Sequence, residues 1–467
     1  MNKKEISLII LISIIIFLIV YSPHFSYPFP FFIDEWHHLT QSSNLGTRYY
    51  ESGISGIEIG FHIFLRVLNS FTNLILIYKF LPALWAVFSA LTLFYIVEKK
   101  TNNFYVGILS MIFFMSIKSN IDLGGLWFFT PLTFSIPFVF LYIYFFTEGI
   151  EKQNNKMILC SLGIMIFLLP IHVISILFII PILLVYCLFH LKYIKSEWKF
   201  FSWFLILPII GILFYLQITK NSLFNLFSAI QFKLGFGYAD LSFSFFDVYS
   251  VIGFVLALLG IVFIMLYKKD LKRYSIFIIW PLYLLVSITF FKIFGVSLFS
   301  PYQRNIYYFV LGLPVLSSFG VIYLLRFIKS LRLNQFSIKL LSLILILIIL
   351  FLTFYQYYNL PERAELRKII DEDDYKDLLY LKNLDGKKVL AEPLISNALA
   401  PVSEKVPVTT SFISSNRKEV EEFFGSSYCE KKIDIIESES VDYVLSKKEI
   451  DCGWELIYEG KNFIYEV

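Results

Sequence analysis

Residues 6–38 read ISLIILISIIIFLIVYSPHFSYPFPFFIDEWHH, an apolar run that is followed by a short loop and a cluster of acidic and imidazole side chains. The apolar part predicts a membrane-spanning helix over 6–21. Such a run after Lys3 and Lys4 is also typical of a secretory signal, but residues 22–25 offer no small-x-small cleavage site. We therefore expect a permanent first helix. Over all 467 residues, 57% are apolar and 16% are charged, which predicts an integral membrane protein.

Apolar runs continue along the chain as far as residue 355. Together with 6–21 they predict about eleven spans, several of them shorter than the roughly 20 residues that cross the hydrocarbon layer. The further spans are expected near 80–97, 104–117, 127–146, 157–170, 173–190, 200–219, 248–267, 274–293, 306–325 and 338–355. The fold class expected from this pattern is an α-helical, multi-pass membrane protein, and its span boundaries are soft.

Lysine and arginine collect in alternate loops, which indicates the orientation of the chain. Loops of this kind stay on the cytoplasmic side. The N-terminus is therefore expected in the cytoplasm, and the loops at 22–79, 118–126, 220–247 and 294–305 are expected outside. With eleven spans, the C-terminus also lies outside. The expected location is the plasma membrane.

From about residue 361 the composition changes to charged residues with short apolar runs. This change predicts a membrane domain over 1–360 and a soluble, extracytoplasmic domain over 361–467. Its pattern predicts a small α/β domain with the following elements: an amphipathic helix over 362–384, strands over 388–391 and 443–446, and a hairpin over 455–467 that turns at 459–462.

Four cysteines are present, two in each part of the chain. Cys160 and Cys187 lie in predicted spans, whereas Cys429 and Cys452 lie in the soluble domain. A compartment outside the cytoplasm permits disulfides. The sequence therefore predicts a bridge between Cys429 and Cys452, with two unpaired thiols as the alternative.

The loop that opens at Ser22 presents Asp34, Glu35, His37 and His38 within five residues of sequence. Placing an ionisable group at a membrane boundary costs free energy, because the charge is partly removed from water. Such groups often serve proton transfer or ion binding. The alternative is a solvated loop with a few polar residues. The long first loop, the odd number of spans and the outward C-terminal domain favour a functional site.

This combination resembles the type C glycosyltransferases (GT-C), multi-pass enzymes that use polyprenyl-phosphate sugars. The resemblance covers most of the chain and is strongest over 33–90, through Asp34-Glu35-Trp36-His37-His38, Gly60-Phe61-His62-Ile63-Phe64 and Leu81-Pro82-Ala83-Leu84. It implies a hexosyltransferase similar to protein mannosyltransferases and aminoarabinose transferases. The implied donor is a dolichyl- or undecaprenyl-phosphate sugar, and the implied acceptor is a protein, a glycan or a lipid.

The resemblance also implies the roles of the acidic pair. Asp34 corresponds to the catalytic base, and Glu35 is its neighbour and possible substitute. A base at this position draws a proton from the acceptor as it attacks the anomeric carbon, and a single displacement inverts that carbon. Like-charge repulsion between Asp34 and Glu35 would raise the pKa of one of the two carboxyls, which favours partial basicity near neutral pH.

The leaving phosphate needs cations or hydrogen-bond donors. The resemblance implies Arg304 for this role, next to Gln303, and an arginine that snorkels to the interface is the alternative. Lys292 and Arg48 are weaker candidates. The expected substrate-binding set is completed by four histidines on the outward side, namely His37, His38, His62 and His172. For His172, the alternative is an anchor at the membrane interface.

Asp34, His37 and His38 also suit a divalent metal. Their spacing matches no closed coordination pattern, and an arginine alone can neutralise a monophosphate, so no metal or other cofactor is expected.

The aromatic loop at 220–247, with Asp240, covers the lipid donor or forms an interfacial belt. A transporter or a flippase of lipid-linked glycans is the rival, but the functional polar residues concentrate at the outer boundary rather than at midplane, and no internal repeat is found in the sequence. No nucleotide motif is found, and no nucleic-acid partner is expected.

Overall fold

The computed structural model describes residues 2–47, 49–50, 58–120, 123–219, 244–266, 271–295, 297, 300–331, 334–355, 368–411 and 417–467. The chain divides into two compact units. The first unit combines Met1–Tyr21, Ser52–Glu58 and Pro82–Pro361, and the second combines Ser22–Glu51, Ile59–Leu81 and Glu362–Val467. The expected domains at 1–360 and 361–467 remain a prediction.

Helices run along the whole described chain, and the named strands all lie after residue 387. The helices are α1 (Lys3–Tyr21), α2 (Ile33–Asn44), α3 (Ile59–Phe71), α4 (Leu74–Tyr78), α5 (Leu81–Thr101), α6 (Phe104–Met115), α7 (Pro131–Glu151), α8 (Asn155–Leu168), α9 (Val173–Leu188), α10 (Leu191–Ser196), α11 (Trp198–Phe201), α12 (Trp203–Thr219), α13 (Val251–Leu266), α14 (Leu271–Phe294), α15 (Tyr302–Ser330), α16 (Gln335–Tyr355), α17 (Glu372–Lys382), α18 (Ser396–Ser403), α19 (Arg417–Gly425) and α20 (Cys429–Glu439). The strands are β1 (Lys388–Ala391), β2 (Val406–Pro407), β3 (Tyr443–Ser446), β4 (Glu455–Glu459) and β5 (Phe463–Glu466).

Within the described residues, six helices of the first unit are long and apolar enough to cross a membrane: α1, α5, α7, α14, α15 and α16. The chain is therefore an integral membrane protein. The other predicted spans overlap shorter apolar helices, namely α6, α8, α9, α12 and α13. The expected count of eleven spans and the orientation of the termini remain predictions.

Helix α15 forms the core of the first unit, where it packs closely against α13. A Cβ atom built at Gly260 would lie 1.9 Å from the carbonyl oxygen of Leu316, and one at Gly320 would lie 2.0 Å from that of Leu256. Only glycine permits this backbone-to-backbone approach, which is typical of helix pairs in membranes.

The second unit contains a five-stranded sheet in the order β2-β1-β3-β5-β4. Strand β1 pairs in parallel with β2 and β3, whereas β5 pairs antiparallel with β3 and β4. The predicted strands at 388–391 and 443–446 and the predicted hairpin are confirmed, and so is the small α/β character of this region. Cys429 and Cys452 form a disulfide with their Cα atoms 5.4 Å apart, while Cys160 and Cys187 are free thiols.

The predicted helix over 362–384 is wrong in its extent. Residues 362–367 lie outside the described ranges, 368–371 are not helical, and α17 covers Glu372–Lys382. Its start is fixed by Asp371, whose side chain accepts hydrogen bonds of 3.0 Å from the backbone N–H groups of Asp373 and Asp374. The N–H of Asp371 donates to the Asp374 carboxylate at 3.0 Å. This reciprocal capping ends the irregular segment and begins the helix at the next residue.

Segments from the first predicted loop pack inside the second unit. Helix α2 lies against α18, where the hydroxyl of Thr40 donates to the carbonyl oxygen of Asn397 at 2.7 Å. The hydroxyl of Tyr27 donates to the carbonyl oxygen of Ile370 at 2.8 Å. Contacts between residues more than 300 positions apart thus hold α2, which carries the acidic motif.

Candidate active site

Helix α2 begins at Ile33 because Glu35 caps its start. The Glu35 side chain is fully buried, and its Oε2 atom accepts hydrogen bonds from the backbone N–H groups of Phe31 at 2.8 Å and Phe32 at 2.9 Å. These donors lie directly before the first residue of the helix. Trp36 adds a hydrogen bond from its indole to the carbonyl oxygen of Pro30 at 3.1 Å. Glu35 therefore holds the entry of the chain into α2, a role that needs its carboxylate in place.

Asp34 lies one residue earlier and is half-buried. Residues three and four apart are neighbours on a helix surface, so Asp34, His37 and His38 share one face of α2. Tyr78, at the end of α4, is fully buried. Its burial, together with the charges of Glu35 and Asp34, raises the pKa of the Tyr78 phenol well above the ordinary value. A neutral phenol thus lies within electrostatic range of both carboxylates.

His38 and His62 form an imidazole pair. His38 Nδ1 and His62 Nε2 are 3.1 Å apart, and His62 Nδ1 lies 3.0 Å from the hydroxyl of Tyr50. Both imidazoles are buried, whereas His37 is half-buried with its ring 5.5 Å from that of His38. Each of these two hydrogen bonds contains one proton. Both bonds can form in two ways, with the two protons directed either toward His38 or toward Tyr50. Such a chain can pass a proton along its length.

In the first unit, His172 directly precedes α9 and lies in a separate buried cluster. His172 Nδ1 is 2.7 Å from the Ser175 hydroxyl and 3.1 Å from that of Tyr308. Ser175 also lies 2.9 Å from the Tyr308 hydroxyl and 2.8 Å from that of Ser135. Sequence reasoning found His172 but missed its three partners. The available signal was the presence of hydroxyls inside apolar helices, which marks polar sites in membranes.

Arg304 lies in the first turn of α15, four residues before Tyr308, so the two side chains share a helix face. Its Nη1 atom donates to the carbonyl oxygen of Leu123 at 2.9 Å. Leu123 lies in a tight turn that Asn120 and Gly124 close with two backbone hydrogen bonds of 2.9 Å. Glycine is needed there, because φ of Gly124 is +92°. The half-buried guanidinium therefore braces this turn with one of its five donors.

Asn305, next to Arg304, is fully buried and was not predicted as a site residue. Its amide nitrogen donates to the hydroxyl of Ser287 at 3.1 Å and that of Ser297 at 3.3 Å. It also donates to the carbonyl oxygen of Ser300 at 3.2 Å. Nothing in the local sequence pattern indicates this network, because its members come from two helices and a loop.

The remaining candidates are placed as follows. Gln303 is half-buried beside Arg304, and Lys292 is exposed near the end of α14, as expected for a snorkelling lysine. Arg48 and Asp240 lie outside the described residues. In the described part of the chain, no three His, Cys, Asp or Glu side chains are grouped closely enough to hold a metal ion.

No protein-family model matches this chain, and no curated protein matches it in sequence. Solved structures do match in fold. The archaeal oligosaccharyltransferase AglB from Archaeoglobus fulgidus, in complex with an inhibitory peptide and a dolichol-phosphate, has a TM-score of 0.58 and 10% sequence identity, covering 95% of this chain and 69% of that chain. The complex of the A. fulgidus oligosaccharyltransferase with Zn and sulfate gives a TM-score of 0.56 and 11% identity, over 93% of this chain and 67% of that one.

The fold is therefore similar to that of the archaeal oligosaccharyltransferases, and the resemblance to type C membrane glycosyltransferases is confirmed at the level of the fold.

Proposed function

We propose that this protein is a membrane glycosyltransferase that moves a sugar from a polyprenyl-phosphate-linked donor to an acceptor. The observation that supports this most is the similarity to AglB over 95% of the chain, combined with an aspartate and two histidines on one face of α2. One AglB structure contains a dolichol-phosphate, and another carries a tethered acceptor peptide. These ligands suggest the donor class and one acceptor class for this chain.

Asp34 is the base in this proposal. Its carboxylate takes a proton from the acceptor nucleophile, whose electron pair forms the new bond to the anomeric carbon. The bond between that carbon and the phosphate oxygen breaks, and the phosphate leaves with its electron pair on the lipid. One displacement of this kind inverts the anomeric centre and needs no covalent enzyme intermediate.

Glu35 is unsuited to replace Asp34, because its Oε2 atom accepts two backbone hydrogen bonds and its side chain is fully buried. The chain of His38, His62 and Tyr50 supports a supplementary role. Because their protons can shift between two arrangements, these groups offer a route by which charge near α2 is redistributed after proton transfer.

Arg304 is assigned to the leaving phosphate. A guanidinium stays protonated at any physiological pH and offers donors in a planar fork that matches phosphate oxygens. The Leu123 carbonyl occupies one donor and fixes the orientation of the group. Stabilisation of charge as it develops on the leaving oxygen is commonly the largest contribution to such reactions. The proposal assigns no step to a metal ion.

The test is sugar transfer by purified full-length protein from a panel of dolichyl- and undecaprenyl-phosphate sugars, with peptide, glycan and lipid acceptors. The variant is Asp34→Asn, and Asp373→Asn, at an exposed position of the same unit, is the matched control. We expect transfer by the wild type and the control but not by Asp34→Asn. A wild type that transfers no sugar but carries labelled lipid across liposomes would instead establish the transporter alternative.

A further inference from the structure

A cavity of about 740 Å³ lies in the first unit. Its walls come from the end of α7, the connection from α9 to α10, α10 itself and the start of α14. The polar residues that line it include Glu151, His190, Lys192, Tyr193, Lys272 and Arg273. The volume falls within the range of about 300–1,000 Å³ that is usual for small-molecule sites.

The cavity lies at the opposite end of α7 from the His172 cluster. Ser135 joins that cluster near the start of α7, whereas Glu151 lines the cavity at its end. A separation of sixteen residues at 1.5 Å each corresponds to roughly 24 Å along the helix axis. The two sites are therefore distinct, and the cavity lies where the sequence collects lysine and arginine in loops.

The carboxylate of Glu151 is already neutralised. Lys100, which is 1% exposed, lies 3.0 Å from Glu151 and 3.2 Å from Glu148. Lys152 lies 2.6 Å from Glu148, and the Tyr186 hydroxyl donates to Glu151 at 2.6 Å. The positive charges of the two lysines thus balance the negative charges of the two glutamates. Behind the cavity wall, the charges are balanced without any contribution from the cations that line it.

Those cations have no carboxylate partner among the described residues. Lys192 and Lys272 form no ion pair there, and Arg273 donates a hydrogen bond of 3.4 Å to the carbonyl oxygen of Lys99. Glu197 contributes one negative charge near Tyr193. Three cations against this one anion leave a positive surplus at the cavity.

His190 adds an unsatisfied polar atom to the wall. Its Nε2 atom is closed off from solvent and has no hydrogen-bond partner. Burial, with the charges of Lys272 and Lys100, lowers the pKa of His190 to about 4, so the ring is neutral at pH 7. A buried polar atom without a partner is destabilising, and the ring lines the cavity as a neutral group.

We propose that this cavity binds a phosphate group, carried either by the headgroup of an anionic phospholipid or by a soluble phosphorylated solute. The surplus of cations supplies the attraction, and the guanidinium fork of Arg273 matches phosphate oxygens. The proposal does not rest on sugar transfer, and its test uses binding alone.

The test uses the full-length protein and two probes. Native mass spectrometry measures retention of phosphatidylglycerol against phosphatidylcholine, and titration with inorganic phosphate follows the thermal midpoint. The double variant Lys192→Gln/Lys272→Gln is expected to weaken binding by about tenfold or more, which is the usual scale for losing charge-assisted hydrogen bonds. The matched control is Lys195→Gln/Lys199→Gln, which removes two exposed cations from the same stretch of chain without touching the cavity wall.

Loss of phosphatidylglycerol retention in the cavity variant alone identifies a lipid headgroup, and loss of phosphate stabilisation alone identifies a soluble ligand. Equal losses in both double variants, or no binding of either probe by the wild type, would overturn the proposal.

Discussion

The starts of helices α2 and α15 can be compared directly, because each carries a half-buried charged residue followed by a fully buried polar one. In α2 these are Asp34 and Glu35, and in α15 they are Arg304 and Asn305. The second member of each pair is fully buried and bonded to the groups around the helix start. The first member is half-buried. Consecutive side chains on a helix do not face the same direction, so sequence neighbours take on separate tasks.

The two helices differ in the groups that neighbour the first residue. Arg304 donates one hydrogen bond to the Leu123 carbonyl oxygen and so supports a turn as well as supplying positive charge. Asp34 lies on the same helix face as His37 and His38, and His38 belongs to the His38–His62–Tyr50 chain of hydrogen bonds. A change at Arg304 should therefore affect the position of Leu123 as well as the chemistry.

The largest effect is expected for Asp34→Asn. Replacing a general base typically lowers the rate by about 10²–10⁴-fold, and asparagine keeps the size of the side chain. We expect transfer to fall by this amount while the thermal midpoint changes by no more than it does in the Asp373→Asn control. Wild-type turnover in a folded Asp34→Asn protein would remove Asp34 from the mechanism.

Arg304→Lys should have the next largest effect. Lysine retains the positive charge but loses the planar fork, so we expect kcat/KM for the lipid donor to fall by about 10–100-fold through weaker stabilisation of the leaving phosphate. The kinetics should be measured with the donor and the acceptor varied separately. Lys292→Gln, at an exposed position, is the matched control and should leave both constants unchanged. If the loss appeared only in the KM for the acceptor, the assignment to the phosphate would be wrong.

Glu35→Gln should affect stability rather than chemistry. The neutral amide accepts the N–H groups of Phe31 and Phe32 more weakly than a carboxylate does, and the site is fully buried. We expect a loss of about 1–3 kcal/mol in the free energy of unfolding. Activity per folded molecule should stay near that of the wild type. If the Glu35→Gln protein kept a normal thermal midpoint but lost activity, Glu35 rather than Asp34 would be the base.

The sequence predicted the elements whose cause is local. Apolar runs gave the long helices, and alternating patterns gave β1, β3 and the β4–β5 hairpin, because side-chain periodicity is a local property. The pattern predicts a helix over 362–384, whereas the cap at Asp371 begins α17 at Glu372. A capping aspartate is readable from sequence, so this error was avoidable.

The polar networks were not predictable in the same way. Tyr50, Ser135 and Tyr308 acquire their partners through packing between distant segments, as in the bond between Ser135 and Ser175. Sequence position indicated that His62 and His172 matter but not what they contact. The packing of α2 against α18 was likewise hidden, because the two helices are separated by more than 350 residues.

Thr40→Val tests that packing and should have the smallest effect. Valine matches the shape of threonine but cannot donate to the carbonyl oxygen of Asn397, which the Thr40 hydroxyl reaches at 2.7 Å. The Asn397 side-chain amide donates to the carbonyl oxygens of Pro393 and Leu394, both at 3.0 Å. This local structure limits any movement that would give the freed carbonyl a new partner.

We therefore expect Thr40→Val to lower the free energy of unfolding by about 1 kcal/mol, the usual net value of one buried hydrogen bond. Thermal unfolding of the full-length protein measures this loss, with Ser43→Ala on the same helix as the control, since the Ser43 hydroxyl donates within its own helix, to the carbonyl oxygen of Leu39. If α18 positions α2 for catalysis, the Thr40 variant should also lose some activity per folded molecule, and the Ser43 variant should not. Equal activity in both would limit α18 to supporting the fold of the second unit.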